Sequence, residues 1–234
     1  MIIAGLQKMT LLDFPGRVAC TLFLQGCNYR CPFCHNAELL EGKGESLMSR
    51  EELLSFLTKR VGLLDGVCIS GGEPTLCPDL KALMADIKAL GFAVKLDTNG
   101  SRPQVLKGLV EAGLVDYVAM DIKNSPSRYA ATCGLEKVDL AAIEESITFL
   151  LGGSVDFEFR TTVVQPLHDE ASILEMGQWL HHLAGKNPVK KLFLQPFVDR
   201  DTVVFSGLET PNSTKLAAFT ELLQPFVLVV SVRG

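Results

Sequence analysis

The chain has 234 residues, 47% of them hydrophobic, and a net charge of −5. This length and composition allow one large α/β domain or two small ones. No apolar run reaches the roughly 18 residues of a membrane span, and the N-terminus lacks the basic and apolar regions of a signal peptide. Without a long basic run, nucleic acid is a poor partner. We therefore expect a cytoplasmic protein with neither a membrane nor a nucleic-acid partner.

Segments with the apolar, β-branched composition of buried strands alternate with segments that begin and end like helices. The predicted strands are 18–25, 65–70, 93–96, 116–120, 155–164, 190–197 and 226–232. The first predicted helix begins at Ser49, a favoured N-cap residue, and has acidic residues in its first turn. The other predicted helices are 78–90, 103–112, 139–151, 170–184 and 212–223. This order predicts a parallel sheet covered by helices. Six or seven units are too few for a complete eight-fold barrel of about 250 residues. We expect an α/β fold, an open partial TIM-type barrel of about six βα units, forming a single domain over residues 1–234 with no inserted ferredoxin-like domain.

Three cysteines follow the first predicted strand in residues 26–36, the cysteine loop. Cys27, Cys31 and Cys34 have the spacing C-x3-C-x2-C. Thiolates are the ligands of iron–sulfur clusters, and a cubane cluster has four irons, so three ligands leave one iron open. A structural zinc site would need a fourth ligand, and His35 is too close in sequence to Cys34 to supply it. Seven cysteines in all, an odd number, favour a reducing compartment and metal chemistry over a disulfide framework.

This spacing, with Phe33 just before the third cysteine, resembles the signature of the radical S-adenosylmethionine (SAM) superfamily. The runs Asp-Phe-Pro-Gly at 13–16, Phe-Leu-Gln-Gly-Cys at 23–27 and Cys-His-Asn at 34–36 resemble the glycyl-radical-enzyme activating proteins, in particular those of anaerobic ribonucleoside-triphosphate reductase. The resemblance implies an oxygen-sensitive [4Fe–4S] cluster on the three cysteines. It also implies reductive cleavage of SAM to a 5′-deoxyadenosyl radical, which takes hydrogen from a glycine Cα of a partner glycyl radical enzyme. A flavodoxin- or ferredoxin-type protein would supply the electron.

Polar segments stand at the ends of the next three predicted strands. They are Gly71-Gly72-Glu73-Pro74, Asp97-Thr98-Asn99-Gly100 and Asp121-Ile122-Lys123. Because ligands of parallel α/β folds bind beyond the carboxyl ends of the strands, these segments and the cysteine loop predict one shared site. Each segment taken alone also fits an ordinary turn or a solvated charge.

The resemblance assigns roles at these strand ends. Gly71, Gly72, Glu73 and Pro74 would bind the amino group of SAM. Asp97 and Thr98 would face SAM, and together with Asp121 they would hold a monovalent cation. The simpler alternative is that the two aspartates only cap turns. Lys123 would pair with the carboxylate of SAM, and Phe33 belongs to the same cofactor site.

Two further residues are candidates for the cofactor site. Arg160 lies within an apolar strand, where an unpaired charge would be costly, so it either pairs with a buried acid or reaches SAM. In pyruvate formate-lyase activating enzymes a histidine follows the proline–aromatic pair at the sixth strand end, whereas here Val198 follows Phe197. Gln195 is the candidate to replace that contact, and this departure disfavours the pyruvate formate-lyase branch.

The other four cysteines, Cys20, Cys68, Cys77 and Cys133, lack short paired spacings, so a second cluster is the less favoured interpretation. Two alternatives to an activating enzyme remain. One is a radical SAM enzyme that acts on a small molecule, as a deazaguanine synthase does. The other is a non-catalytic iron–sulfur or zinc protein, which would not need the polar segments at the strand ends.

Overall fold

A computed structural model describes residues 1–41, 44–186, 188–203 and 205–233. Its strands form one eight-stranded sheet in the order of the sequence. They are β1 (Ile3–Thr10), β2 (Ala19–Leu24), β3 (Gly66–Gly71), β4 (Ala93–Thr98), β5 (Tyr117–Asp121), β6 (Asp156–Val163), β7 (Val189–Pro196) and β8 (Val227–Val232). β1 pairs with β2 antiparallel, and every later pair is parallel. No pairing joins β1 to β8 within the described ranges, so the sheet is an open partial barrel, as predicted.

The helices are α1 (Arg50–Thr58), α2 (Leu80–Ala89), α3 (Pro103–Glu111), α4 (Tyr129–Thr132), α5 (Leu140–Leu151), α6 (Glu170–Ala184) and α7 (Ser213–Leu223). All but the short α4 follow a strand of the parallel part, which gives six βα units and a final strand. α1 begins with a capping box, in which the Ser49 side chain accepts from the Glu52 N–H and the Glu52 carboxylate accepts from the Ser49 N–H. Every predicted strand and helix is confirmed, with ends that differ by two residues or fewer where both ends were predicted.

β1 and α4 are not among the predicted elements. β1 is an edge strand paired on one side only, and most of its residues are half-buried or exposed. Its sequence, Ile-Ala-Gly-Leu-Gln-Lys-Met-Thr, therefore lacks both the continuous apolar run of a buried strand and a strict alternation. α4 has only four residues and lies inside the long connection, residues 124–138, between the predicted strand 116–120 and the predicted helix 139–151.

The strands alternate between an apolar face and a polar face, as β6 illustrates. Phe157 and Phe159 join the main core beneath the helices. Glu158 and Arg160, at the intervening positions, make ion pairs on the opposite, concave face, Arg160 with Asp97 of β4 and Glu158 with Arg233 just after β8. Parallel strands covered on both faces are usually apolar throughout. The charged concave face therefore marks the barrel interior as a place where polar groups are positioned.

The Asp-Phe-Pro-Gly segment closes the barrel at the amino ends of the strands. Phe14 is 2% exposed and packs on Ala19, Ala93 and Tyr117, each the first residue of its strand. A Cβ added at Gly66 would lie 2.8 Å from the Phe14 ring, so glycine makes room for this plug. The segment that carries part of the family resemblance thus has a structural role at the end opposite the site.

Replacing Phe14 with leucine should lower the free energy of unfolding by about 1 kcal/mol, because a well-packed ring is replaced by a smaller side chain. Urea denaturation under anaerobic conditions measures this. The control is Phe205→Leu, since Phe205 is 57% exposed and its replacement should change stability by less than about 0.5 kcal/mol. Equal losses of stability in the two variants would contradict the conclusion that the packing of Phe14 stabilises the amino end of the barrel.

Candidate active site

A cavity of about 260 Å³ opens at the carboxyl ends of the strands. Twelve of the predicted site residues line it: Cys27, Cys31, Phe33, Cys34, Gly71, Gly72, Asp97, Thr98, Asp121, Lys123, Arg160 and Gln195. Glu73 and Pro74 are both buried and do not line the cavity. The convergence predicted from the strand ends is therefore present, and it joins residues up to 168 positions apart in sequence, from Cys27 to Gln195.

The cysteine loop is held by one backbone hydrogen bond at its start and by another inside the loop. The N–H of Gly26 donates to the Leu39 carbonyl at 2.7 Å, and the N–H of Cys34 donates to the Cys31 carbonyl at 3.1 Å. Phe33 is 5% exposed and packs with Val164 and Phe197 in an apolar cluster beside the cavity. The loop thus presents its three thiols to the cavity while its aromatic residue is anchored in the protein.

The three thiols differ in their electrostatic surroundings. A hydrogen bond from the Cys133 thiol, aided by the nearby positive charge of Lys123, overcomes burial and lowers the pKa of Cys31 to about 7. Burial raises the pKa of Cys27 to about 11 and raises that of Cys34 above its usual value. Soft thiolates on one cavity wall are the donor set that an iron–sulfur cluster takes, so these residues fit that cofactor.

No set of three His, Cys, Asp or Glu side chains among the described residues converges closely enough to hold a single metal ion. A cubane cluster binds each thiolate at a different iron, so its ligands do not need to meet at one point.

The described residues also contain no helix that is both long and apolar enough to cross a bilayer.

Cys133 and Gly134, just after α4, contact the backbone of the cysteine loop and support it. The N–H of Arg30 donates to the Cys133 carbonyl at 2.8 Å. Gly134 has φ +67°, and a Cβ added there would lie 2.0 Å from the Arg30 carbonyl oxygen. Only glycine allows this approach, because it tolerates the left-handed conformation and has no side chain to collide with Arg30.

Gly134→Ala should therefore displace the cysteine loop and release iron to a chelator at least about tenfold faster than the wild type, as expected when the support of a metal ligand is lost. Gly113→Ala is the matched control. Gly113 has φ +68°, and an added Cβ there would have no atom of the described residues within 4 Å. Both variants carry the same backbone strain, so equal rates of iron release would contradict a supporting role for Gly134.

Gly71 and Gly72 line the cavity because β3 lies very close to the chain leaving β2. Gly71 has φ +119°, and a Cβ there would lie 2.2 Å from the Leu24 carbonyl oxygen. At Gly72 the corresponding distance, to the Gly26 carbonyl oxygen, is also 2.2 Å. The two glycines thus let the second strand end press against the cysteine loop, so the close approach they permit is to protein backbone.

Glu73 connects two strand ends behind the cavity wall. Its carboxylate accepts from the hydroxyl and N–H of Thr75, from the Thr98 hydroxyl at 2.8 Å and from the Asn99 N–H at 2.6 Å. Burial raises the pKa of this carboxyl despite those donors. In the structure Glu73 fixes the position of Thr98 and Asn99, and its contact with an amino group remains a prediction.

A row of five alternating charges, the charge ladder, lies at the floor of the cavity, and all of its members except Lys95 line the cavity. In order, its members are Lys95, Asp97, Arg160, Asp121 and Lys123. The guanidinium of Arg160 lies 3.2 Å from Asp97 and 3.0 Å from Asp121, and the Lys123 amine lies 2.8 Å from Asp121. Lys95, 1% exposed, pairs with Asp97. The sequence analysis left two possibilities for Arg160, and the structure shows it both paired with acids and lining the cavity.

The ladder keeps its acids ionised. Burial alone would raise the pKa of Asp121, but Lys123 and Arg160 outweigh it and lower the value to about 2. The pKa of Asp97 is also lowered, since Arg160 and Lys95 overcome its burial. Three cations and two carboxylates leave the ladder with one excess positive charge.

This arrangement bears on the predicted monovalent cation. Arg160 occupies the space between Asp97 and Asp121, so the two carboxylates bind a guanidinium in the structure. The Thr98 hydroxyl, the third proposed ligand, donates to Glu73 instead. A bound inorganic cation stays a prediction, and in the structure each of its three proposed ligands already bonds to a protein group.

Other residues line the cavity to which the sequence assigned no individual role, although some of them lie in the cysteine loop or in a polar strand-end segment. They are Tyr29, His35, Asn36, Leu40, Ser70, Asn99 and Thr162. Thr162 was detectable in principle, because it lies two positions after Arg160 on the same strand and so shares its face. His35 stacks on Phe197 at 5.7 Å, and its ring contacts the Val198 carbonyl oxygen at 2.7 Å. No local pattern predicts such a contact across 163 residues.

Comparison with known proteins identifies the family. A family model described as the radical SAM superfamily matches residues 21–178. The "Putative glycyl-radical enzyme activating enzyme" of Methanocaldococcus jannaschii is 35% identical over 242 residues, which covers 99% of this chain and 95% of that protein. The pyruvate formate-lyase-activating enzyme of Clostridium pasteurianum is 33% identical over 131 residues, 52% of each chain.

Solved structures agree with the fold. A domain of the pyruvate-formate lyase-activating enzyme from Bacteroides vulgatus superposes with a TM-score of 0.57 at 18% identity, covering 72% of this chain and 99% of that one. SuiB from Streptococcus suis, solved bound to S-adenosylmethionine, gives 0.67 at 12% identity, covering 92% of this chain and 52% of SuiB. At such identities the likeness establishes the fold alone. Taken with the sequence relatives, it confirms the predicted resemblance: the chain belongs to the radical SAM superfamily and, within it, to the glycyl-radical enzyme activating enzymes.

Proposed function

We propose that this radical SAM enzyme activates an anaerobic ribonucleotide reductase by removing a hydrogen atom from one glycine Cα of that partner. Its family uses a [4Fe–4S] cluster and SAM. The choice of partner rests on the sequence segments at 13–16, 23–27 and 34–36, and on Val198, which stands where the pyruvate formate-lyase branch has a histidine. The observation that carries the proposal is the meeting of three thiols and four members of the charge ladder in one cavity.

Cys27, Cys31 and Cys34 would hold the cluster, which when bound supplies the electron that splits SAM into methionine and a 5′-deoxyadenosyl radical. The lowered pKa of Cys31 makes its thiol ready to bind metal near neutral pH. The carbonyl of Cys133 and the backbone at Gly134 hold the loop in shape. The protein therefore supplies a prearranged set of ligands.

The excess positive charge of the charge ladder suits the carboxylate of SAM. Lys123 stands at one end of the ladder, lines the cavity and has a side chain that is 15% exposed. An incoming carboxylate would neutralise the ladder without displacing Asp97 or Asp121. Thr162 and Gln195, which also line the cavity, add uncharged hydrogen-bonding groups for the rest of the molecule. Phe33 and its apolar neighbours limit the access of water to the reacting atoms.

We also propose that the electron comes from a flavodoxin- or ferredoxin-type protein in the cytoplasm. All seven cysteines are free thiols in the structure, which suits a reducing compartment. Reduced flavodoxin should replace dithionite in supporting the formation of 5′-deoxyadenosine. Activity with dithionite but with neither flavodoxin nor ferredoxin would contradict this part of the proposal.

Electron paramagnetic resonance tests the partner. The anaerobically reconstituted enzyme is mixed with dithionite, SAM and either anaerobic ribonucleotide reductase or pyruvate formate-lyase. We expect a glycyl radical on the reductase alone, and none when the glycine of its radical site is replaced by alanine. A radical on pyruvate formate-lyase alone would contradict the choice of partner. No radical and no 5′-deoxyadenosine with either partner would contradict the activity itself.

A further inference from the structure

Tyr29 contributes a buried hydroxyl that has no hydrogen-bond partner among the described residues. Tyr29 stands between Cys27 and Cys31 in the sequence. The residue is only 3% exposed and lines the cavity. The hydroxyl oxygen is shielded from solvent and is not within bonding distance of any described donor or acceptor. A buried polar group without a partner costs free energy, so an isolated hydroxyl beside a cofactor cavity points to a bond made by what fills that cavity.

The surroundings of Tyr29 are those of the cluster ligands. Tyr29 packs in the same buried group as Cys31 and Cys133. Its own backbone N–H donates to the Cys27 sulfur at 3.4 Å, so the residue already contacts one ligand from its main chain. The charged or thiol groups that act on the hydroxyl are those of Cys133, Lys123, Glu73 and Cys31. Two of these groups are thiols, one of them the proposed ligand Cys31, and with the Cys27 contact they place sulfur beside this residue.

We propose that the Tyr29 hydroxyl donates a hydrogen bond to a sulfur of the bound cluster and thereby makes the cluster easier to reduce. Hydrogen bonds to cluster sulfurs withdraw electron density from them and stabilise the reduced form, which carries more negative charge. Tyr29 is in this account a positioning residue that acts through the cluster. The inference rests on the cluster being bound at the cysteine loop.

The test compares the cluster reduction potential of the wild type and of Tyr29→Phe, measured by redox titration with electron paramagnetic resonance in the absence of SAM. At the wild-type midpoint potential, the reduced-to-oxidised ratio in the variant should be about fivefold lower, as expected for loss of one hydrogen bond. Tyr129→Phe is the control. Tyr129 is also buried, but its hydroxyl donates to the Asp121 carbonyl at 3.4 Å, so its loss should leave the potential unchanged.

An equal potential in the wild type and Tyr29→Phe would overturn the inference. So would an effect confined to weaker SAM binding, since the hydroxyl would then serve the nucleotide. A second measurement does not depend on the variant holding its cluster: electron–nuclear double resonance of the reduced wild type in H2O and D2O should show a strongly coupled exchangeable proton. Its absence would also overturn the inference. A wild type that binds no cluster would instead contradict the proposed function.

Discussion

Replacing Cys31 with alanine should lower the formation of 5′-deoxyadenosine more than about 100-fold. Loss of residues that merely support metal ligands costs 10–100-fold, and Cys31 is itself a proposed ligand. Its low pKa makes it the thiol best prepared to bind metal, and its removal leaves two thiols on the cavity wall. The measurements are iron content after anaerobic reconstitution and product formation with dithionite and SAM.

Cys77→Ala is the matched control for Cys31→Ala. Cys77 is a half-buried free thiol that does not line the cavity, so its removal should leave iron content and SAM cleavage unchanged. Circular dichroism of both variants separates loss of the cluster from loss of the fold. A Cys31→Ala protein with wild-type iron content and wild-type product formation would contradict the ligand assignment.

Replacing Arg160 with methionine should destabilise the protein by about 3 kcal/mol at pH 7, the low end of the range for removing one member of a buried ion pair. The variant keeps a carboxylate from Asp97 and one from Asp121 in a largely buried setting, with side chains 14% and 29% exposed. Each still has a lysine partner, which is why the lower end of the range applies. Urea denaturation of the metal-free proteins measures the difference.

Arg50→Met is the control for Arg160→Met. Arg50 pairs with Asp86 at 2.6 Å, but the two side chains are 32% and 38% exposed, so its loss should cost less than about 1 kcal/mol. Equal losses of stability in the two variants would contradict the importance of the charge ladder.

The effect of Arg160→Met should also depend on pH. The lowered pKa values of Asp97 and Asp121 contribute stability above the unfolded value of about 3.9. That stability is lost as the pH falls through the folded values, about 2 for Asp121. The difference in free energy of unfolding between Arg160→Met and the wild type should therefore become smaller as the pH falls from 7 toward 3. A gap that stays constant would show that Arg160 stabilises the protein by packing alone.

Much of the fold was predictable because its strands are apolar runs with clear limits. β3, for example, ends at the Gly71-Gly72 pair. Helix limits are also marked, as by Asp169, the N-cap residue of α6. β1 was not predictable, since an edge strand needs only one paired side and its residues show little pattern. The covering helices were found from their capping residues, whereas the four-residue α4 has too few turns to produce a periodic pattern.

Site residues could be predicted where they belong to short local motifs. They could not be predicted where their role depends on contacts between segments that only the fold brings together. The cysteine spacing and the polar strand ends identified most of the cavity lining. The position of Arg160 between two acids, the burial of Glu73 and the contact of Gly134 with Arg30 arise from chain segments far apart in sequence. The hydroxyl of Tyr29, which has no hydrogen-bond partner in the part of the chain that the structure describes, could be recognised only from its three-dimensional surroundings.

The most direct test of the central claim follows a hydrogen atom. Anaerobic ribonucleotide reductase is prepared with glycine deuterated at the α-carbon and incubated with the reconstituted enzyme, SAM and dithionite. Mass spectrometry of the 5′-deoxyadenosine should show one deuterium per molecule formed, matched by one glycyl radical. Product without deuterium, or a glycyl radical without product, would contradict direct transfer of hydrogen from the glycine of the partner to the 5′ carbon.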